Sequence, residues 1–303
     1  MYRITLTVAC AAITTLSLVS TAQAAPATTG SLTNPSSAAQ VDSYWTPQRL
    51  AAAKPMPAPV TAGVTKAVQT TDGPERIVAA TTPSGISPAS TESTEASVWT
   101  TVGRLVFTVP GKGDYICTAT VVTSNNHDVI STGRHCVVDV STWTAYSNFR
   151  FAPAYNNGST PYGWWTWRAA GWRTDDTGPG GDNAFIVLNT GGNSNTHVQN
   201  AIGSTGIAFN SGLAGYAHGL GIPGSTNYAV WCEGVPYIGP SGGVQIANCN
   251  GLSGGASGGP FVVDYQSDGN ATQTASYFGS WGDAYWAYYR TAAYDVYNGA
   301  QNR

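Results

Sequence analysis

The stretch CNGLSGGASGGPFVVDY, residues 249–265, joins a glycine-rich turn around Ser257 to an apolar strand. Five of the eleven residues at 250–260 are glycine, and none is charged. The run GASGG, residues 255–259, fits the G-x-S-x-G pattern of a nucleophilic serine. Because glycine adopts backbone angles forbidden to other residues, Gly255 can bring its N–H beside that of Ser257, as oxyanion stabilisation requires. A flexible Gly/Ser loop is the alternative, but it leaves the strand PFVV unexplained.

A nucleophilic serine needs a base, and the histidines are the candidates. In the α/β-hydrolase elbow the histidine follows the serine along the chain, whereas all four histidines here precede Ser257: His127, His135, His197 and His218. His135 lies in VISTGRHCVVDV, directly before Cys136, and a bond from that cysteine to Cys117 would immobilise the imidazole. We expect His197 to be solvated in its Gly/Asn-rich turn. His135 is therefore the predicted general base.

A neutral imidazole also needs an acceptor that fixes its tautomer and stabilises the cation that it becomes. The acids between His135 and Ser257 are Asp139, Asp175, Asp176, Asp182 and Glu233. Asp182 opens GDNAFIVL, where a turn meets an apolar strand, so its carboxylate can be buried and directed inward. The paired acids Asp175 and Asp176 are typical of an open, solvated turn. We therefore predict Asp182 as the third member of a triad.

The beginning of the chain carries the features of a secretory signal peptide at residues 1–24. Arg3 gives a positive start, residues 4–19 are mostly apolar, and AQA at 22–24 offers a small-residue cleavage site. A membrane anchor and lipid attachment at Cys10 are alternatives that fit the short, Thr/Ser-interrupted segment less well. The net charge of -3 and the absence of a basic block argue against nucleic-acid binding. The sequence predicts an exported, extracellular protein without a membrane span.

Four cysteines remain once the signal peptide is removed. An even number in an exported chain predicts two disulfides among Cys117, Cys136, Cys232 and Cys249, with three possible pairings. Sequential pairing would close two short loops, each worth about 3 kcal/mol of stability on a chain-entropy estimate. Zinc is the rival interpretation, but closely spaced ligand pairs such as CxxC are absent. We predict neither a metal nor a cofactor.

The chain changes character near residue 98. Residues 25–97 are rich in Pro, Ser, Thr and Ala, and they predict a low-complexity leader or pro-segment, with a plain linker as the alternative. One short helix is expected within SYWTPQRLAAAKP, with Thr46 as its N-cap, Pro47 in its first turn and Pro55 ending it. The first convincing strand is RLVFTV, residues 104–109.

From residue 98 to residue 303, short apolar segments alternate with turns such as TDDTGPGGD and NTGGNSN. Many short strands without helical periods predict antiparallel barrels or a sandwich. Only RTAAYDVYNGAQNR, at the end of the chain, has a helical pattern. The Trp-rich segment YGWWTWRAAGWR, residues 162–173, reads as a strand with one buried face, and glycan binding through exposed aromatics is its alternative.

At this point the motifs resemble those of a family. STGRHC, GDNAFIVL and GGASGGPFV are similar, in order and kind, to the His, Asp and Ser motifs of trypsin/chymotrypsin-like serine peptidases, especially exported bacterial, actinomycete-type members. The resemblance implies an all-β fold of two antiparallel six-stranded β-barrels, at about 98–195 and 196–303, with the active site between them and a C-terminal helix. His135 and Asp182 would come from the first barrel and Ser257 from the second.

The resemblance also implies the remaining parts of the site. The N–H groups of Gly255 and Ser257 would form the oxyanion hole, and Cys117 and Cys136 match the disulfide that brackets the family's histidine. The motif GSWG, residues 279–282, resembles the family's substrate-binding strand. Its residues Ser280, Trp281 and Gly282 would pair with an extended substrate, and Gly251 and Leu252 would line the specificity pocket.

Departures from the family pattern narrow the expected activity. Gly251 stands where trypsin carries an acid, which disfavours cleavage after Lys or Arg, and Gly279 stands where acid-specific bacterial relatives carry a histidine. Ala256 replaces the Asp that pairs with a newly cut N-terminus in trypsin, so that activation route is not expected. The prediction is a monomeric secreted serine endopeptidase that acts on protein or peptide substrates with a neutral or apolar preference. A non-catalytic, peptidase-like binding protein is the alternative.

Overall fold

The computed structural model describes residues 29–59, 71–83, 97–174, 176, 178–239, 243–281 and 283–303. The predicted signal peptide, residues 1–24, lies outside these residues. The described helices are α1 (Ala38–Tyr44), α2 (Pro47–Ala52), α3 (Val98–Thr101), α4 (Val198–Ile202) and α5 (Thr291–Gln301), with 3-10 turns at Arg134–Cys136 and Pro179–Gly181. None of them combines the length and the apolar character that a membrane crossing requires.

The described strands run in chain order as β1 (Thr29–Thr33), β2 (Lys54–Pro55), β3 (Arg76–Val78), β4 (Val102–Val109), β5 (Gly113–Val121), β6 (Val129–Thr132), β7 (Val138–Asp139), β8 (Thr144–Ala145), β9 (Ser147–Pro153), β10 (Trp165–Arg173), β11 (Ala184–Leu188), β12 (Gly206–Phe209), β13 (Ala217–Gly221), β14 (Val230–Gly234), β15 (Pro236–Ile238), β16 (Val244–Ile246), β17 (Pro260–Val263), β18 (Thr272–Trp281) and β19 (Asp283–Tyr288).

The first barrel consists of six antiparallel strands in the order β10-β11-β6-β5-β4-β9. Pairing of β9 with β10 closes the barrel. Its longest pairing joins β4 to β5 along their whole lengths, from Val102 opposite Thr120 to Val109 opposite Gly113. Inward-facing side chains such as Leu105 and Phe107 are fully buried, so the closed sheet encloses a core of its own.

The second barrel is nearly closed. Its strands follow the order β14-β13-β17-β18-β19-β16-β15. Only Val235 separates β14 from β15. Because β14 pairs with β13 and β15 pairs with β16, these two consecutive strands join the two edges of the sheet. Residues such as Phe261 and Trp286 fill its core. The predicted fold class, two antiparallel β-barrels followed by a C-terminal helix, is confirmed.

Helix α5 packs on the first barrel and ties it to the second. Val296 faces Gly171 of β10 so closely that a Cβ on the glycine would lie 3.1 Å from Cγ1 of Val296. The ring of Tyr297 packs at a tilt against that of Phe209, with centroids 5.2 Å apart, and the Tyr297 hydroxyl donates to the carbonyl of Thr123. The helix therefore stabilises the relative position of the two barrels behind the cleft.

The structure corrects the interpretation of the leader. The low-complexity composition of residues 25–97 predicted no strand before residue 104, and that prediction is wrong: β1 adds to β10 and β3 adds to β12, both antiparallel. Such edge pairing uses backbone N–H and C=O groups, so it does not require an apolar sequence. The predicted helix is confirmed as α2, since the Thr46 side chain accepts from the N–H of Arg49 and the helix ends at Ala52, before Pro55.

The Trp-rich segment is also more buried than its pattern indicated. It forms β10, where Trp165 and Trp167 are fully buried and Trp172 is 6% exposed. Thr166, on the opposite face, is buried as well. A strand was predicted correctly, but with only one buried face, and both faces are covered. These tryptophans therefore belong to the core and cannot stack on a glycan.

Candidate active site

His135 and Asp182 form a buried pair at the edge of the first barrel. The Nδ1 atom of His135 lies 2.7 Å from Oδ2 of Asp182, and the backbone N–H of His135 donates to Oδ1 at 2.9 Å. The two residues are 4% and 1% exposed, so water does not compete for these bonds. Both carboxylate oxygens are thus used to hold the same residue, which fixes the orientation of the imidazole.

Two devices hold this pair in place. The Cys117–Cys136 disulfide fastens the 3-10 turn that carries His135 to strand β5, and the other disulfide joins Cys232 to Cys249. Arg134, which is also buried, donates to the carbonyls of Arg173 and Gly178 at 3.2 Å. The guanidinium of Arg134 therefore binds the loop that leads to Asp182, and His135, the next residue in sequence, binds the carboxylate of Asp182.

Ser257 lies in a tight turn of the second barrel, packed against the segment that carries His135. The turn has positive φ at Gly255 and Gly258, +94° and +82°. A Cβ on Gly258 would lie 2.1 Å from Oγ1 of Thr132 and 2.7 Å from the backbone nitrogen of Gly133, so only glycine fits. Gly258, which follows Ser257, is therefore in contact with Gly133, which lies two residues before His135.

The unpaired atom of the imidazole is the most informative feature of the site. His135 Nε2 is buried and has no hydrogen-bond partner within the described residues. A buried ring nitrogen without a partner destabilises the fold, so its presence calls for an explanation such as a catalytic role. The edge of the Phe278 ring also packs on this imidazole, with ring centroids 5.5 Å apart. The Nδ1 side is thus bound to Asp182, whereas the Nε2 side has no hydrogen bond to any described residue, Ser257 included.

Backbone amides of the serine turn face the cleft. The N–H of Gly255 points to the carbonyl of Met56, 3.4 Å away, and the N–H of Ser257 makes no backbone hydrogen bond in the described part of the chain. The carbonyl of Gly255 accepts from the hydroxyl of Thr118 at 2.9 Å. Among the described residues, neither the N–H of Gly255 nor that of Ser257 is hydrogen-bonded within the serine turn itself, as donors to an oxyanion must be.

Two of the five predicted substrate-binding residues, Leu252 and Ser280, contact one side chain, Tyr277. Its hydroxyl bonds to Ser280 Oγ at 2.7 Å and to the carbonyl of Leu252 at 3.1 Å. Gly251, next to Leu252, has φ +104°, and the position of its missing side chain opens to free space. Trp281 pairs through its backbone with Asp283, at the end of the strand. The fifth member of the predicted set, Gly282, lies outside the described residues.

Sequence reasoning missed Phe278, which packs on His135 with ring centroids 5.5 Å apart. The next residue, Gly279, faces Ala58, where a Cβ on the glycine would lie 2.5 Å from the alanine Cβ. The register of β18 against β19 shifts between Tyr277 and Gly279. A bulge of this kind changes which side chains face the cleft, and no motif in the sequence marked it.

The other candidate acids and histidines have separate partners. Asp176 accepts from the N–H of Gly178 at 2.8 Å and so closes its own turn, whereas Asp175 lies outside the described residues. The side chain of His197 is 44% exposed, which agrees with the expected solvated turn, and its Nδ1 atom also lies 2.8 Å from the buried carboxylate of Asp128.

Among the described residues, one cluster brings three potential metal ligands together: Cys117, His135 and Cys136. The two sulfur atoms are bonded to each other, so neither is a thiolate that could bind zinc. The donor set at this position therefore fits a disulfide beside a histidine and does not fit a metal centre.

Comparison with solved structures places this geometry among bacterial serine proteases. The thermostable serine protease AL20 from an extremophilic microorganism is 26% identical, with a TM-score of 0.58 over 67% of this chain and 97% of that one. Protease Anisep from Arthrobacter nicotinovorans is 28% identical, with a TM-score of 0.59 over 69% and 98%. A Glu endopeptidase shares the fold at 15% identity, with a TM-score of 0.53 over 72% and 96%.

No protein-family model and no curated protein matches the sequence. The solved structures nevertheless confirm the resemblance to trypsin/chymotrypsin-like serine peptidases of bacterial type.

Proposed function

We propose that this protein is a secreted serine endopeptidase that hydrolyses peptide bonds through an acyl-enzyme on Ser257. One observation carries the proposal: the imidazole of His135 is held by Asp182 at Nδ1, its Nε2 atom is buried and unpaired, and the segment that carries it packs on the serine turn where Gly133 meets Gly258. A base oriented by a carboxylate and next to a hydroxyl is the arrangement that activates a serine nucleophile. The similarity to bacterial serine proteases supports the same reaction class.

In the first half of the reaction, Ser257 Oγ attacks the substrate carbonyl carbon while His135 Nε2 takes the hydroxyl proton. The carbonyl oxygen becomes an oxyanion and accepts hydrogen bonds from the N–H groups of Gly255 and Ser257. The C–N bond then breaks, and His135 gives its proton to the leaving amine. Asp182 keeps the remaining proton on Nδ1 and stabilises the imidazolium.

In the second half, water replaces the amine. His135 removes a proton from the water as it attacks the ester carbon, and a second oxyanion forms in the same hole. The bond between the ester carbon and Ser257 Oγ breaks, and the proton passes from His135 back to the serine. The products are a carboxylic acid and an amine, and the enzyme returns to its starting state.

A neutral preference at the cleavage site follows from the pocket residues. The groups that meet there are the carbonyl of Leu252 and the hydroxyls of Tyr277 and Ser280, none of which is charged. Burial raises the pKa of the Tyr277 hydroxyl, so it stays protonated at neutral pH. Such a site has no charge to pair with a Lys, Arg or Glu side chain, and a buried unpaired charge is costly.

Export and monomeric action complete the proposal. Two disulfides are typical of proteins that fold in an oxidising compartment. Together with the signal-peptide pattern at residues 1–24, they support secretion into the extracellular space. Both barrels that carry the proposed triad come from one chain, so a single copy holds the residues that the reaction needs.

Cleavage of a mixed peptide library by the purified secreted protein tests the proposal. We expect hydrolysis after uncharged residues, and we expect Ser257→Ala to abolish it while the circular dichroism spectrum stays unchanged. Equal cleavage by the variant would remove Ser257 from the mechanism. Binding of the library without cleavage by the native protein would favour the non-catalytic alternative.

A further inference from the structure

A short segment of the leader crosses the cleft between the barrels. We call residues 54–58, sequence KPMPA, the strap. It begins as β2 immediately after α2 and ends where Ala58 meets Gly279. The strap therefore lies where the proposed function requires a substrate to bind.

On the first barrel, the strap pairs with the strand that leads to the Cys117–Cys136 disulfide. Lys54 and Pro55 lie opposite Tyr115 and Ile116 in a parallel pairing, and the N–H of Met56 donates to the carbonyl of Ile116 at 3.0 Å. These contacts place the strap beside β5, one residue before the disulfide that holds the histidine turn.

On the second barrel, the strap contacts the serine loop and the strand after it. The carbonyl of Met56 accepts from the N–H of Gly255 at 3.4 Å. Pro55 lies so close to Gly224 that a Cβ there would be 2.3 Å from the proline Cγ atom. Ala58 fills the space over Gly279 in the same way. The absence of side chains at these two glycines is what lets the strap lie in the cleft.

We propose that the strap is the intramolecular ligand of this cleft and blocks it against substrate. The inference rests on the proposed function, because the N–H of Gly255 that receives the Met56 carbonyl is a proposed oxyanion donor. While the strap is bound, this donor is occupied and a peptide cannot lie against Ile116 or Gly279. The kind of peptide that the cleft accepts in this non-productive manner is short, extended and rich in proline.

The sequence of the strap explains how it can occupy the site without being a substrate. Met56, whose carbonyl faces Gly255, is flanked by Pro55 and Pro57. Proline has a fixed φ and no N–H, so neither neighbour can rotate about φ or donate a backbone hydrogen bond to the walls of the cleft. The peptide bond that follows the Met56 carbonyl is therefore held in a rigid frame that resists rearrangement toward a tetrahedral intermediate.

The individual contacts of the strap are weak, so its occupancy depends on tethering. A parallel two-residue pairing is less stable than an antiparallel one, and the bond to Gly255 is long. The chain before the strap is anchored to the first barrel by the buried Trp45, whose Nε1 donates to the carbonyl of Asn148. The chain after it is anchored to α5, since Asp72 accepts from the N–H of Thr291. Tethering on both sides gives a high effective concentration, which compensates for weak binding.

Labelling of Ser257 by a fluorophosphonate tests the proposal in the full-length chain. The strap variant carries Pro55→Gly, Met56→Ser, Pro57→Gly and Ala58→Ser, and Gln48→Ala, exposed on α2, is the matched control in the same leader. We expect the strap variant to react at least about tenfold faster than the native protein, the factor that corresponds to about 1.4 kcal/mol of lost strap binding. The control should react at the native rate. Equal rates for the native protein and the strap variant would overturn the proposal.

Hydrogen exchange at the amide of Gly255 separates this inference from the proposed function. If Ser257 is not a nucleophile, no form of the protein will be labelled, yet the strap still protects the Gly255 amide. We expect exchange at Gly255 to be faster in the strap variant than in the native chain and in Gln48→Ala. Unchanged exchange at Gly255 would refute the strap as the occupant of the cleft, whatever the labelling result.

Discussion

The backbone N–H of Thr118 donates to the carbonyl of Ser257 at 2.8 Å, which joins the two barrels at the proposed nucleophile. The same residue acts through its hydroxyl, which donates to the carbonyl of Gly255 and accepts from the N–H of Ile222, each at 2.9 Å. One buried threonine of the first barrel therefore holds the backbone carbonyls of both residues whose N–H groups are proposed to form the oxyanion hole.

Replacing Thr118 by valine should lower kcat while KM changes little. The isosteric change removes the hydroxyl and leaves the Gly255 carbonyl and the Ile222 N–H unsatisfied, which costs about 1–3 kcal/mol for each buried group. Without its hydrogen bond, the Gly255 carbonyl can move, and the proposed oxyanion hole then stabilises the transition state less well. We therefore expect kcat to fall about tenfold. Thr118→Ser keeps the hydroxyl and should retain most of the native kcat. If valine and serine give the same kcat, the hydroxyl does not position the hole.

Asp182→Asn should reduce kcat by about 10⁴-fold, because the amide holds the imidazole in the wrong tautomer. The chain contains its own control, since Asp128 binds His197 at 2.8 Å through the same kind of carboxylate–imidazole contact. Asp128→Asn should lower the melting temperature but leave kcat per folded molecule unchanged. Comparable losses of kcat in the two variants would mean that Asp182 has only a structural role.

The two disulfides should contribute similarly to stability and differently to activity. Their cysteines are 19 and 17 residues apart, so removal of either bridge should cost about 3 kcal/mol on a chain-entropy estimate. Only the Cys117–Cys136 bridge holds the His135 turn. Urea unfolding of the two double serine variants should therefore give similar losses, while kcat should fall mainly in Cys117→Ser/Cys136→Ser. A larger fall of kcat in Cys232→Ser/Cys249→Ser would contradict this assignment.

Gly133→Ala should impair catalysis through crowding of the His135–Asp182 pair. The new Cβ would lie 2.9 Å from Oδ2 of Asp182 and 3.2 Å from the imidazole, so the pair must shift. A displacement of about 1 Å can cost about 10² in rate, and we expect a fall of that order in kcat/KM. Gly215→Ala, where a Cβ meets no atom within 4 Å, is the matched control. Native kinetics for Gly133→Ala would show that the pair tolerates the added methyl group.

The barrels could be predicted from sequence because their strands bury apolar side chains. Runs such as AFIVL, residues 184–188, carry that signal directly, and so does the amphipathic pattern of α5. Strands β1 and β3 were missed because they attach to barrel edges through backbone groups: β1 has only one apolar residue, and β3 is only three residues long. Trp45 is a sequence signal that indicates a packed segment, because it is a lone tryptophan in a low-complexity region. In the structure its side chain is only 4% exposed.

The positions of His135, Asp182 and Ser257 were recognisable because each motif couples a polar residue to a strand or turn of fixed geometry. The neighbours of the imidazole were not. Phe278 reaches His135 only because the register of β18 shifts after Tyr277, and the strap reaches the cleft only through long-range pairing with β5. Both depend on contacts between distant parts of the chain, which no local pattern encodes.

Mass-spectrometric mapping of the fluorophosphonate adduct tests the central claim most directly. Measured on the native protein and on the strap variant, the adduct should lie on Ser257 alone, and it should be lost in His135→Ala. An adduct on another residue, or undiminished labelling of Ser257 without the imidazole, would contradict the account of a histidine-activated serine.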